Sequence, residues 1–136
     1  MNKIKYFVGG YDKDFIPGAS GQENEKIVVD SRFFFFKKRG RFEKVDIKNI
    51  IYIQADNNYT YTFTEDEKYI NTSNLGQMEE LFSAPNFMRV HRSYIVNLDN
   101  LTSIDFSNNK IALGNHIVPF SRSMKDQLTK RFNLIK

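Results

Sequence analysis

The sequence predicts a mostly β fold with one short internal helix and a short C-terminal helix, and three observations carry that prediction. Thirteen Phe and seven Tyr with no Trp favour a pleated, half-buried surface, on which aromatic and β-branched side chains pack well. From Ile27 onward, short apolar runs are separated by Gly, Asn, Asp and Ser, the residues of tight turns. The stretches 72–82 and 121–132 instead space their apolar residues three to four apart, as a helix requires. A length of 136 residues, 40% of them apolar, suits one domain with a sizeable core.

Residues 1–26, with Gly9, Gly10, Pro17, Gly18 and Gly21, keep no period and read as an N-terminal arm or linker, leaving 27–136 as the domain. "VVDSRFFFFKK" and "RGRFEKV" form a hairpin around Gly40. Successive rings from Phe33 to Phe36 point to opposite sides, which predicts a sheet covered on both. "IKNIIYIQA" and "YTYTF" are the next strands, joined by the polar loop Asp56-Asn57-Asn58, and "EDEK" turns the chain into the strand "KYIN". In "TSNLGQMEELF", Leu75, Met78, Leu81 and Phe82 share one helical face; Ser73 is expected to cap this helix and Pro85 to stop it.

"NFMRVHRSYIVNLDNL" raises a difficulty. As a single strand it would place Arg92 on an apolar face with Met88, Val90, Tyr94, Val96 and Leu98. The helical spacing of Val90, Tyr94 and Leu98 offers a way out: a strand ending near Val90, then a tight turn or one-turn helix from His91 to Asn97 that points Arg92 outward. "LTSIDF" and "KIALG" follow as a hairpin about Ser107-Asn108-Asn109, because Asn tolerates positive φ. "HIVPF" is a last strand, with Pro119 near its end. Ser121 is expected to cap the terminal helix, whose Met124, Leu128 and Phe132 lie on one face.

Several functions are excluded by what the chain lacks. Without cysteine there is no disulfide, thiolate zinc site or cysteine nucleophile, and with two histidines any metal would lean on carboxylates. Asp56, Asn58, Thr60 and Glu67 partly match a calcium loop, but Tyr61 stands where the sharp turn needs glycine and both flanks read as strands. His91 and Ser93 have no third group to orient them, and there is no nucleophile elbow or phosphate-cradling glycine loop. The expectation is a non-enzyme with no cofactor. Charges interrupt the N-terminal apolar residues and no apolar run is long enough for a membrane span, so a cytoplasmic protein without membrane contact is expected.

The net charge is +4, unevenly spread: Arg32, Lys37, Lys38, Arg39, Arg41, Lys44 and Lys48 crowd 31–49, acids dominate 54–86, and the chain is basic again from Arg122. Clustered cations are the footprint of an anionic partner, most often nucleic acid. They also suit a solvated hairpin whose cationic edge discourages aggregation. Charge alone leaves both open.

"FMRVHRSYIVNLDNL" resembles the signature of the LytTR-type DNA-binding domain, the output module of many bacterial response regulators. Upstream, "IIYIQADNNYTYTFT" is similar to that family's strand, polar loop and aromatic strand, and "TSNLGQMEELF" to its short helix; downstream, "HIVPFSRSMKDQL" resembles its closing strand and basic helix. Order and spacing agree over about 31–132. The resemblance implies packed small antiparallel sheets that place loops, not a recognition helix, in successive major grooves of double-stranded DNA, with two copies on direct repeats.

It also implies base-reading side chains at Asn58, Tyr59 or Thr60, at Arg92 and at Arg122. Charge makes Lys37, Lys38, Arg39 and Lys125 the expected phosphate contacts, with His91, Ser93 and Ser121 in supporting places beside the readers. Arg suits base reading because its rigid fork can donate two parallel hydrogen bonds to guanine. Plainer roles compete: an ion pair with Asp99 for Arg92, a backbone hydrogen bond for His91, packing for Tyr59. Arg122 is harder to explain away, since a cation in the first turn of a helix is disfavoured unless an anion offsets it. A receiver domain would need on the order of a hundred further residues, which leaves a separate signalling partner open. Two other functions remain: a β domain that stacks single-stranded nucleic acid on exposed Phe and Tyr, and an interaction module whose cationic hairpin meets an acidic protein.

Overall fold

The computed structural model describes residues 30–83 and 85–136, so the expected arm over 1–26 lies outside the described residues. The alternating segments become the strands β1 (Phe33–Lys38), β2 (Arg41–Asp46), β3 (Ile50–Asp56), β4 (Tyr59–Thr64), β5 (Lys68–Asn71), β6 (Phe87–His91), β7 (Tyr94–Asn97), β8 (Ser103–Asp105), β9 (Lys110–Leu113) and β10 (His116–Pro119). The two stretches of helical period become α1 (Leu75–Leu81) and α2 (Lys125–Arg131). The strands form three antiparallel units: the β1-β2 hairpin, a three-stranded sheet in the order β10-β9-β8, and a five-stranded sheet in the order β5-β4-β3-β7-β6. The expected mostly β architecture of small packed sheets with two short helices is what the chain adopts.

The five-stranded sheet separates two cores. Ile50, Ile53, Tyr69 and Ile95 pack with Phe36 and Val45 of the hairpin and with Leu75, Met78 and Phe82 of the α1 segment. On the other side Ile51, Val90, Val96 and Leu98 pack with Ile111, Leu113 and Val118 of the three-stranded sheet and with Leu128 of α2. Each fully buried aliphatic side chain contributes about 1.5–3 kcal/mol. Pairing slips between Ile50 and Tyr52 and between Arg89 and His91. The unpaired residues, Ile51 and Val90, both join the second core; such bulges increase the local twist of a strand.

The hairpin departs from the sequence reading in one respect. Its turn falls at Arg39 and Gly40, with φ of 53° and 78°, the pair of positive values that matches the right-handed twist of the strands. Phe34 lies 4.3 Å from Phe82 and Phe36 stacks 5.0 Å from Tyr69. The opposite face is bare: Phe35 is 60% and Phe42 64% exposed. Coverage on both sides, expected for this sheet, is found only for the five-stranded one.

Three local expectations are corrected by specific hydrogen bonds. Helix α1 is capped by Asn74, not Ser73: Asn74 Oδ1 accepts from the Gln77 N–H at 2.8 Å while Gln77 Oε1 accepts from the Asn74 N–H at 2.9 Å. The Ser73 carbonyl instead accepts from the Thr60 hydroxyl. Ser121 makes no side-chain cap; its N–H donates to the Val90 carbonyl at 2.8 Å, and the 3-10 turn Arg122–Met124 precedes α2. Segment 94–97 is a strand, not part of a helical turn, because Tyr94 to Val96 pair with Tyr52 to Gln54. Buried Asn97 fixes its end, donating to the Ile50 carbonyl at 2.9 Å and accepting from the Asp99 N–H at 3.0 Å.

Candidate nucleic-acid interface

Antiparallel pairing decides which candidate residues meet. Strand β3 lies between β4 and β7, so its C-terminal end carries both the β3–β4 turn at Asn57-Asn58 and the β6–β7 turn at Arg92-Ser93. The Ala55 N–H donates to the Ser93 carbonyl at 2.9 Å, which ties the two turns together. The Ser121 bond to Val90, beside the same turn, brings in the start of the last helix. Three segments distant in sequence therefore share one end of the sheet.

The β6–β7 turn is held on several sides. The Ser93 N–H donates to His91 Nδ1 at 3.0 Å, and Arg89 Nη2 donates to the Arg92 carbonyl at 2.7 Å. Arg89 Nη1 pairs with Glu79 of α1 at 3.1 Å. With its backbone fixed in this way, Arg92 leaves its side chain exposed. Asp99 is not its partner: its carboxylate accepts from Asn86 Nδ2 at 2.7 Å. Among the described residues, neither Arg92 nor Arg122 has a side-chain ion pair. A groove lined by Arg89, His91 and Arg92 on one wall and by Ser121, Ser123, Met124 and Gln127 on the other joins the turn to the helix. Lys125 is exposed on the same helix.

The β3–β4 turn narrows the candidates there. Asn57 sits at φ 57°, a left-handed conformation that Asn tolerates better than most residues. Asn58 is exposed and Tyr59 is 49% exposed. Thr60 is fully buried: its hydroxyl donates to the Ser73 carbonyl at 3.1 Å, and Asn71 Nδ2 donates to Thr60 and Thr62 oxygens at 3.2 and 2.9 Å. It braces strands β4 and β5 and presents no group to a ligand. Tyr61, next along, donates its hydroxyl to Asp56 at 2.8 Å; this bond, ahead of burial, raises its phenol above the usual value.

The basic hairpin does not join this end. Lys38 is paired with Glu67, in the turn between β4 and β5, and its ammonium lies 5.4 Å from the Tyr69 ring centre. That turn is at the opposite end of β4 from Asn57-Asn58. Over the six residues of β4, at about 3.3 Å per residue, the two ends are roughly 20 Å apart. Lys37, Lys38 and Arg39 are thus separated from Arg92 and Arg122, because the hairpin feeds β3 from its other end. Arg89, Gln127 and Ser123 were missed by the sequence reading. For Arg89 a signal existed, a second arginine three residues before Arg92; the groove residues of the helix carried none.

Residues 40–133 match the family model for the LytTr DNA-binding domain. The heme-containing CO-sensing transcriptional regulator RcoM 2 of Paraburkholderia xenovorans is 32% identical over 103 residues, 72% of this chain and 39% of that protein. The sensory transduction protein LytT of Bacillus anthracis is 31% identical over 90 residues, 63% of this chain and 37% of its own. A solved LytTr DNA-binding domain from Bacillus cereus superposes with a TM-score of 0.65 at 25% identity, covering 74% of this chain and 95% of that one. The chain spans about two fifths of the length of the curated relatives it matches.

Proposed function

Because the chain belongs to the LytTr DNA-binding domain family, we propose that it is the double-stranded-DNA-binding part of a cytoplasmic bacterial transcription regulator, of response-regulator output type. The observation that carries this reading is the convergence of the Asn57-Asn58 turn, the Arg92 turn and the Arg122 segment on one end of the sheet. Arg92 and Arg122 would each offer a guanidinium fork to a guanine edge in the major groove. Asn58 and Tyr59 would read from the neighbouring turn. Lys125, Ser93 and Ser121 would hold phosphates and so fix the register, and His91 would act indirectly by shaping the Arg92 turn. Thr60 and the hairpin residues Lys37, Lys38 and Arg39 have no part in this assignment, for the burial and distance given above.

Two copies on direct repeats belong to the same proposal, as does a separate protein that supplies the signal. A titration of fluorescent duplex at increasing salt tests the core of it. Duplexes carrying a selected motif twice in the same orientation should bind more tightly than those carrying it once, and the logarithm of the affinity should fall linearly with log salt. Tighter binding to single strands of any sequence would favour the stacking alternative; no binding to any duplex at low salt would favour the interaction module.

A further inference from the structure

The cationic charge of the hairpin is left without a task by the placement of the reading loops. Its outward face carries Phe35 and Lys37 on β1 opposite Lys44 and Phe42 on β2. Phe35 and Phe42 are 60% and 64% exposed. Lys44 lies 4.0 Å from the ring centre of Phe33, and Lys37 is exposed. Among the described residues, neither lysine has a carboxylate partner; the hairpin's engaged cation, Lys38, lies on the inward side.

We propose that this outward face docks an acidic protein segment that also bears apolar side chains. Charge complementarity selects the acid: a second copy placed face to face would oppose lysine to lysine. The two exposed rings select the apolar component, since a contact centred on Phe gains by desolvating it against carbon, which a wall of phosphates does not offer. Position separates the face from the DNA-reading end, because the hairpin tip is anchored through Lys38 and Glu67 at the other end of the five-stranded sheet. The face would therefore stay open while DNA is bound and link the domain to an acidic partner.

The test uses the full chain and a short labelled synthetic peptide built from Asp, Leu and Phe, read by fluorescence anisotropy. The peptide should bind, and the double variant Phe35→Ser/Phe42→Ser should weaken it at least about tenfold, as loss of a central aromatic anchor does. Lys37→Glu/Lys44→Glu should abolish that binding and create affinity for the same peptide with Lys in place of Asp. Neither variant should change the affinity for duplex DNA or the far-UV circular dichroism. Equal peptide binding by wild type and both variants overturns the proposal. So does a parallel loss of duplex affinity, which would place the face on DNA, or a concentration-dependent dimer lost in the Phe variant, which would make a second copy the occupant.

Discussion

Arg92 is exposed because everything around it is tied down. The Ser93 N–H finds its acceptor on His91, the Arg92 carbonyl finds its donor on Arg89, and the turn is bonded to β3 through Ala55. A long cationic side chain presented from a rigid turn loses less entropy on binding than one on a mobile loop. His91→Ala should cost about 0.5–1.5 kcal/mol of stability, the usual worth of a neutral hydrogen bond, measured by urea denaturation. Duplex affinity should fall as well, because the proposed role of the histidine is to shape the Arg92 turn. At Asn57 the backbone requirement dominates: Asn57→Gly should be nearly neutral, whereas Asn57→Val should lose about 1–2 kcal/mol at its φ of 57°. The sequence made Arg92 conspicuous as a misfit on an apolar face, and the strand pattern does break at that residue. It could not show Thr60 to be buried, since that follows from strand pairing, which sets Asn71, eleven residues on, directly opposite it on β5.

At the scale of elements, periodicity found the strands and both helices, and it failed where a side chain or a long-range ladder competed with it. Val90, Tyr94 and Leu98 have helical spacing, yet pairing with β3 holds Tyr94–Asn97 extended. Ser73 and Asn74 are both good caps, and only the reach of Gln77 back to Asn74 chooses between them. Asn74→Ala should cost about 0.5–2 kcal/mol in the same denaturation assay, and Ser73→Ala much less. The packing of hairpin on sheet has its own signature in pH. Burial, and then the hydrogen bond donated to Glu43 at 3.0 Å, raise the Tyr69 phenol above its ordinary value near 10. The unfolded chain therefore loses this proton first, so the contribution is complete below about pH 10 and declines as the pH rises above it. Tyr69→Phe should flatten that alkaline decline in urea midpoints measured from pH 8 to 11, taken as about one unit or more either side of the ordinary phenol value.

For the whole molecule, the decisive fact is topological. A strand order of β5-β4-β3-β7-β6 puts the β3–β4 and β6–β7 turns at one end, and the β4–β5 turn with the hairpin tip at the other. Charge along the sequence shows two basic regions but not that the sheet separates them, because pairing between residues far apart in the chain decides it. The motif strings carry the residues that meet at one end of the sheet, whereas the phosphate contacts expected of Lys37, Lys38 and Arg39 rested on charge, which carries no information on where the hairpin lies. The separation also gives the most direct test of the account, selection of binding sites from random duplexes at one fixed salt concentration by the wild type, Arg92→Ala, Arg122→Ala and Lys38→Ala. The two arginine variants should each lose preference at distinct base pairs, by about 1–3 kcal/mol per lost bidentate contact, while Lys38→Ala keeps both the motif and the affinity. An unchanged motif in both arginine variants, or a loss of affinity for all sequences in Lys38→Ala, would contradict it.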